Sequence, residues 1–341
     1  MVDKILVTGG SGFLGTKIIN FLNKNNIEFI NYDLLKPKEF SESFVHGDIL
    51  DKNSLYKAMK ECNSVIHCAA SLPLNKNDKN YKKVNVEGTK NLVELANELN
   101  FKHFLYVSSS AVLGNKHTGL IKESAPRAPF DPYGKSKSLA EEVIESSLDK
   151  DIKLCIIRPR TIVGTNRIGI FGILYEFTKN NMPIFIIGNG TNMLQLIDGD
   201  EIAEAISKAS INSITGIYNL GNNDTTTIKT LYKEFVKSIN SKSKIIHLPK
   251  TFSIFLLTVL DKLRLSPLAP WHYKSFHVDF AFESSDLYKQ INYVPIKNNL
   301  EILKDNYKDV QNFSNDYLKV STHQSKTPLK LLNIFKLFSK K

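Results

Sequence analysis

The stretch "ILVTGGSGFLGTKII", residues 5 to 19, constrains the fold more than any other part of the chain. Strand formers run straight into Gly9, Gly10, Gly12 and Gly15, and an amphipathic segment follows. Glycine serves where a chain must turn tightly or let another group approach its backbone. A Gly-x-x-Gly-x-x-Gly spacing is weak by itself, because an ordinary glycine-rich loop also satisfies it. The order of the surrounding segments decides between the two.

"KILVTG" reads as a short apolar strand, and "TKIINFLNKNN" carries helical periodicity. "IEFINYD" is a second strand ending on Asp33. The pattern then predicts a helix over "SLYKAMKEC", a strand over "SVIHCAA" and a helix over "NVEGTKNLVELANELN". "HFLYVSSS" reads as a strand, "YGKSKSLAEEVIESSL" as a helix and "IKLCIIRP" as a strand. Alternating strands and helices with short connections predict an α/β fold: a Rossmann-type doubly wound parallel sheet with right-handed crossovers.

In that setting the glycine loop, followed by Asp33 at the end of strand two, reads as a dinucleotide fingerprint. Gly9 allows the turn, Gly12 brings backbone N–H groups to a pyrophosphate, and Gly15 permits close helix–strand packing. The helix that follows adds the partial positive charge of its N-terminus, and Phe13 and Leu14, in the loop, are counted among the cofactor contacts. Asp33 is expected to accept from the adenosine ribose hydroxyls and to repel a 2′-phosphate, favouring NAD over NADP. Its plainer reading is a solvated turn residue before "LLKP".

Further on, "PFDPYGKSKSLAEE" places Tyr133 and Lys137 four apart, on one helical face. A tyrosine near its ordinary pKa of about 10 is a poor base at neutral pH. An ammonium one turn away, with an oxidised nicotinamide, favours the phenolate. Upstream, "VSSSAVLG" ends a strand with hydroxyls at the carboxyl edge, where doubly wound sheets bind ligands. A serine there can hydrogen-bond the oxygen of an alcohol being oxidised while tyrosine takes its proton. Each residue alone has a bland alternative: an exposed helix pair, or a strand-end turn. The ordered set is far less open to accident.

With these motifs the chain resembles the extended short-chain dehydrogenase/reductase family, which includes nucleotide-sugar epimerases and dehydratases and 3β-hydroxysteroid dehydrogenases. The resemblance runs from residue 4 to about 312, through "TGGSGFLG", "HGDIL", "HCAA", "NVEGT", "VSSSAVLG", "YGKSK", "IIRPRTIVG", "IGNG" and "IYNLG". It implies that Asp48 and Ile49 flank the adenine, that Ala69 and Ala70 line the cofactor channel, and that Asn85 lies on the helix behind the site. Counting back five from Gly114 makes Ser109 the catalytic hydroxyl, beside Tyr133 and Lys137. Ser71, Ser109, Ser110, Arg160 and Thr161 are the implied substrate contacts, and a homodimer is the implied assembly.

Departures from the family narrow the reaction. Sugar 4,6-dehydratases follow the catalytic hydroxyl with Asp-Glu; this chain has Ser110-Ala111, which can supply neither acid nor base. Oxidation or 4-epimerisation remains. Many nucleotide-sugar epimerases grip the diphosphate with an Arg where this chain has Leu194, and touch it with an Asn where this chain has Thr161. Losing a bidentate guanidinium is not conservative, although Arg160 or Arg167 can substitute; both also read plainly as solvated loop charges. The segments "IIRPRTIVGTNRIGIFGILYEF" and "HLPKTFSIFLLTVLDKL" are similar to epimerases of undecaprenyl-diphosphate-linked N-acetylhexosamine. "TFSIFLLTVL" is too short to span a bilayer and reads as a cavity-lining helix or as domain core. The resulting expectation is an NAD-dependent 4-epimerase of a sugar carried by a nucleotide or lipid diphosphate. A steroid-like alcohol dehydrogenase and an inactive NAD-binding scaffold are the alternatives.

The expected division is a cofactor domain over 1–165, rejoined by 190–221, and a smaller interleaved substrate part over 166–189 and 222–312. Three scattered cysteines without metal-ligand spacing, Cys62, Cys68 and Cys155, fit buried thiols in a reducing cytoplasm. The strand begins too early for a secretory leader to be expected. Six lysines and no acid lie between Leu318 and Lys341, so about half of the net charge of +11 sits in this segment. The body is therefore only mildly basic, and without a recognised module no nucleic-acid partner is expected. After Pro328 the tail, 313–341, places Leu331, Ile334, Phe335 and Phe338 on one helical face. That pattern suits an anionic membrane surface, a solubilising tail or a helix docked on its own body.

Overall fold

The computed structural model describes residues 4–72, 81–164, 171–263, 270–283 and 285–312. The basic tail and Arg167 lie outside the described residues. In chain order come β1 (Lys4–Thr8), α1 (Phe13–Lys24), β2 (Glu28–Asp33), β3 (Phe44–His46), α2 (Lys52–Met59), β4 (Ser64–His67), α3 (Thr89–Glu98), β5 (His103–Val107), β6 (Leu120–Ile121) and α4 (Pro132–Ser147). Next are β7 (Lys153–Pro159), β8 (Thr161–Val163), α5 (Phe171–Lys179), β9 (Ile184–Ile187), β10 (Leu196–Asp198), α6 (Gly199–Ile211), β11 (Gly216–Leu220) and α7 (Ile228–Ser238). The last six are β12 (Ile245–Leu248), α8 (Lys250–Lys262), α9 (Pro270–Ser275), β13 (Ala281–Phe282), α10 (Asp286–Gln290) and α11 (Asn299–Asn312).

Seven strands form one sheet in the order β11-β7-β5-β4-β1-β2-β3, with all neighbours parallel. On β1 the pleat sends Ile5 and Val7 into the core shared with α1 and α6, and Leu6 into the core shared with α2, α3 and α4. A strand buried on both faces needs a continuous apolar run, which is why "KILVT" shows no alternation. The chain leaves β1 for β2 on one side and later returns to β4 on the other, so a crevice opens between β1 and β4 at their carboxyl ends. A third core joins α5, β9, α7 and α11 around Tyr175, Phe235 and Tyr307. A small apolar cluster of Val112, Leu113, Ile121, Phe280 and Phe282 lies beside the carboxyl end of β5.

Several elements differ from their expected extents. The strands predicted over "SVIHCAA" and "HFLYVSSS" stop at His67 and Val107. Beyond these points the chain turns to form the site: the Ser108 N–H still donates to the Ile157 carbonyl of β7, and the serine side chains bond to groups outside the sheet. The helix expected from Asn85 opens as a π turn, Lys83–Gly88. α8 is a helix, as read, but it is not domain core: Phe252, Phe255, Leu256 and Val259 are exposed, whereas Ser253 is buried. Its less exposed positions include Ser253 and the half-buried Ile254, Leu257, Thr258 and Leu260.

Candidate active site

Gly9 follows β1 with φ of +71°, and its N–H donates to the Tyr32 carbonyl across the β1–β2 pair. A Cβ there would fall 2.7 Å from the Ala69 nitrogen, and one on Gly15 would fall 2.2 Å from the Gly9 carbonyl oxygen. The turn, the start of α1 and the loop after β4 can therefore close together only without those side chains. Gly12 precedes α1 in extended conformation and supplies no side-chain cap, so the positive end of the helix, at Phe13 and Leu14, is not neutralised by a capping side chain. Asp33 ends β2. Its Oδ2 accepts from the Ser11 N–H at 3.0 Å and its Oδ1 from the Leu35 N–H at 2.9 Å, which leaves each oxygen further acceptor capacity. Asn31, buried beneath, donates to the Ser11 Oγ at 3.1 Å, while its Oδ1 has no partner among the described residues.

Asp48 and Ile49 follow β3. The Asp48 carbonyl accepts from the Tyr32 hydroxyl, its Oδ1 accepts from the Leu50 N–H, and Ile49 is buried against the second core. Ala69 and Ala70 are half-buried in the loop after β4. A glycine-lined crevice, an uncapped helix start and an anchored carboxylate at the end of β2 suit the pyrophosphate and adenosine ribose of a dinucleotide.

Behind the crevice a hydrogen-bonded lattice joins β4 to α4. Burial first, and then Lys137, hold His67 well below its usual pKa, so its imidazole is neutral. The Thr89 hydroxyl donates to the Asn85 carbonyl and so accepts from His67 Nε2–H at 2.9 Å; Nδ1 then accepts from the Thr8 hydroxyl at 2.7 Å. The Asn85 side chain is anchored at both ends of its amide: Oδ1 accepts from the Ser71 N–H, and Nδ2 donates to the Ser71 carbonyl and to Ser136 Oγ. Asn85, which the resemblance places on the helix behind the site and among the cofactor residues, is tied to Ser71 and to α4.

α4 begins abruptly because Asp131 accepts from the Tyr133 and Gly134 N–H groups, with Pro132 at the first helical position. Tyr133 is therefore in the first turn, half-buried, its ring edge-on to Tyr81 with centres 6.1 Å apart. One turn on, the buried Lys137 Nζ donates to the Val107 carbonyl at 2.8 Å and stands 4.3 Å from the centre of the Tyr106 ring. Burial pushes Lys137 down to about 8, with Cys68 and Glu141 pulling the other way. A second turn on, Glu141 is fully buried. Its carboxylate accepts from Arg158 Nε and Nη2 at 3.0 and 2.6 Å, from Arg127 Nη1 at 3.1 Å and from the Ser108 hydroxyl.

The three serines after β5 have separate tasks. Ser108 is buried and donates to Glu141; Ser110 is buried and accepts from Arg160 Nη1 at 3.2 Å. Ser109 is half-buried and, among the described residues, accepts only from the Ala111 N–H, at 3.2 Å, so its hydroxyl hydrogen is available to donate. Arg160 is buried, with its guanidinium 3.7 Å from the Phe280 ring centre. Among the described residues its Nε has no hydrogen-bond partner and no carboxylate pairs with it, and burial holds its pKa well below the usual range. Thr161 starts β8 and is half-buried, opposite Leu196. Leu194 lies in the third core, and its backbone bridges to Phe280, the ring beneath Arg160.

Sequence reasoning missed Ser11, Asn31, His67 and Glu141. Glu141 had a usable signal, since it is four residues past Lys137 and three before the buried Ile144. His67 had one too, as a polar residue inside a short apolar strand. Ser11 and Asn31 become legible only once β1 and β2 are paired.

The model of the NAD dependent epimerase/dehydratase family matches residues 5–221. The N-acetyl-α-D-glucosaminyl-diphospho-ditrans,octacis-undecaprenol 4-epimerase of Escherichia coli O157:H7 is 31% identical over 261 residues, 73% of this chain and 76% of that relative. The human decarboxylating sterol-4-α-carboxylate 3-dehydrogenase is 28% identical over 258 residues, 71% of this chain and 68% of its own length. Among solved structures, the enzyme WbmG of Bordetella bronchiseptica in complex with NAD superposes with a TM-score of 0.72 at 19% identity. That match covers 91% of this chain and 94% of the other, a likeness of fold alone.

Proposed function

The chain belongs to the NAD-dependent epimerase/dehydratase family and takes NAD as its cofactor; from that premise we propose that it is a C4-epimerase of a sugar carried on a diphosphate, nucleotide- or polyprenyl-linked. The observation that carries this reading is the separation of the serine cluster. One hydroxyl, Ser109, is free to donate, and the next two positions, Ser110 and Ala111, hold no acid or base for eliminating water. The lipid-diphosphate sugar named for the Escherichia coli relative supports the substrate class.

When bound, NAD supplies a reversible hydride acceptor for the substrate carbon. In this reading Tyr133 takes the proton of the sugar 4-hydroxyl and later returns it. Ser109 donates a hydrogen bond to the same oxygen, fixing it as the bond order to carbon changes. Lys137 supports the charge on the phenolate and holds the nicotinamide ribose. Val107, Tyr106 and Glu141 hold that ammonium at the end of β5. The resulting ketone turns over, and the hydroxyl re-forms on its opposite face. Arg160, buried against Phe280 without an acidic partner among the described residues, supplies the guanidinium for an anionic part of the substrate in place of the arginine lost at Leu194. Residues 1–165 and 190–221 bind the cofactor, and 166–189 with 222–312 shape the substrate pocket. The reading extends to a homodimer, from family resemblance, and to contact of the tail with an anionic membrane, from its lysines and apolar face.

A second reading, an NAD-linked dehydrogenase of an apolar alcohol, draws on the buried Leu194 and on the sterol dehydrogenase relative. Incubating the protein with NAD⁺ and either UDP-N-acetylglucosamine or undecaprenyl-diphosphate N-acetylglucosamine separates the two. An epimer formed without net NADH supports the epimerase. Inertness toward both, with stoichiometric NADH from a sterol-like alcohol, supports the dehydrogenase.

A further inference from the structure

α8 is apolar on the side that a surface helix normally keeps polar. Phe252, Phe255, Leu256, Val259 and Leu263, spaced i, i+3, i+4, i+7 and i+11, form one stripe. They are exposed, Phe252 by 63%, Phe255 by 68% and Leu263 by 61%. The opposite side includes Ser253, whose hydroxyl donates to the Pro249 carbonyl, and Thr258, whose hydroxyl donates to the Ile254 carbonyl. The ribbon leading into the helix adds Phe185 and Ile246, directly paired across β9 and β12 and both exposed. Five large apolar side chains along one helix face are a docking surface, not scattered surface residues.

Charge identifies the occupant. Between residues 242 and 274 the sequence has Lys242, Lys244, Lys250, Lys262, Arg264 and Lys274 against the single acid Asp261. A second copy packed across a twofold axis would set these cations against themselves. The chain's own tail, with six lysines and no acid after Leu318, would meet the same repulsion. An anionic bilayer offers both an apolar layer and opposite charge. A helix of 13 residues is about 20 Å long, too short to cross a hydrocarbon core of about 30 Å. Among the described residues no helix is long and apolar enough to cross a membrane.

We propose that α8 lies in the interface of an anionic lipid bilayer, inserting Phe252, Phe255, Leu256, Val259 and Leu263 while the flanking lysines meet the headgroups. This docking stands whether or not the substrate proves to be lipid-linked. It is tested on the full chain with phosphatidylcholine vesicles, with and without phosphatidylglycerol, by cosedimentation. Phe252→Ser/Phe255→Ser changes only exposed side chains, so NAD⁺ affinity and thermal midpoint should match the parent. The parent should bind vesicles containing phosphatidylglycerol at least about tenfold better than phosphatidylcholine alone, and the double variant should lose at least about tenfold on the anionic vesicles, about 1.4 kcal/mol each. Undiminished vesicle binding by the double variant would place any membrane contact elsewhere and overturn the proposal. So would equal binding of the parent to both vesicles. A change in oligomeric state of the variant, seen by light scattering, would instead assign the face to a protein interface.

Discussion

Both oxygens of Asp33 accept from backbone N–H groups, of Ser11 and Leu35, which holds the carboxylate beside the glycine turn. A 2′-phosphate there would meet a fixed negative charge. NAD⁺ should therefore bind at least about tenfold tighter than NADP⁺, about 1.4 kcal/mol, and Asp33→Ala should narrow the gap mainly by weakening NAD⁺. Equal affinities by titration calorimetry would remove Asp33 from this role. Lys137 sets a second, pH-dependent consequence. Because burial pushes its ammonium down to about 8, raising the pH past that point removes the cation beside Tyr133. Log kcat/KM should then decline on the alkaline side of about pH 8, a limb that stays flat to higher pH if Lys137 has no part. Tyr133→Phe should lower turnover by orders of magnitude while leaving NAD⁺ binding nearly intact.

At the scale of elements, α4 carries Tyr133, Lys137 and Glu141 on successive turns, and Glu141 ties it to Arg158 on β7 and to Ser108 after β5. Removing one member of a buried ion pair leaves the other uncompensated. Glu141→Gln should cost about 3–5 kcal/mol in chemical denaturation, whereas Glu142→Gln, exposed on the same helix, should stay within about 0.5 kcal/mol. A small, equal effect at both sites would mean that the clamp does not hold α4. The same helix shows what sequence reasoning can and cannot reach. Its helical stretch and its Tyr-x-x-x-Lys pair were legible because turn spacing is local, whereas its start, one residue earlier at Pro132 with Asp131 as the cap, emerged from the structure. Glu141 sat in "AEE" beside Glu142, and only tertiary packing distinguishes the buried carboxylate from the exposed one. β3, at three residues, and β6 and β13, at two each, are too short to show a period. α8 was legible as a helix, but it is apolar on several faces, so periodicity could not say which side meets the core.

Across the whole molecule, alternating strands and helices predicted the doubly wound sheet, because a parallel strand needs a crossover and a helix is the shortest one that packs. The sheet brings the loops after β1, β2, β4 and β5 to one edge, where residues distant in sequence become one site. The order of motifs led to the nucleotide crevice. The substrate side was less legible, since Arg160 lies among aromatic rings contributed from more than a hundred residues away. The central claim is that the protein moves one hydrogen of a sugar off and back onto the same carbon without net redox change. Its most direct test uses N-acetylglucosamine deuterated at C4, presented on UDP and on undecaprenyl diphosphate, with NAD⁺ and the full chain. The 4-epimer should form from at least one carrier with deuterium retained at C4 and no accumulation of NADH. An epimer that has lost its deuterium to solvent, or a keto product formed with stoichiometric NADH, would contradict the claim.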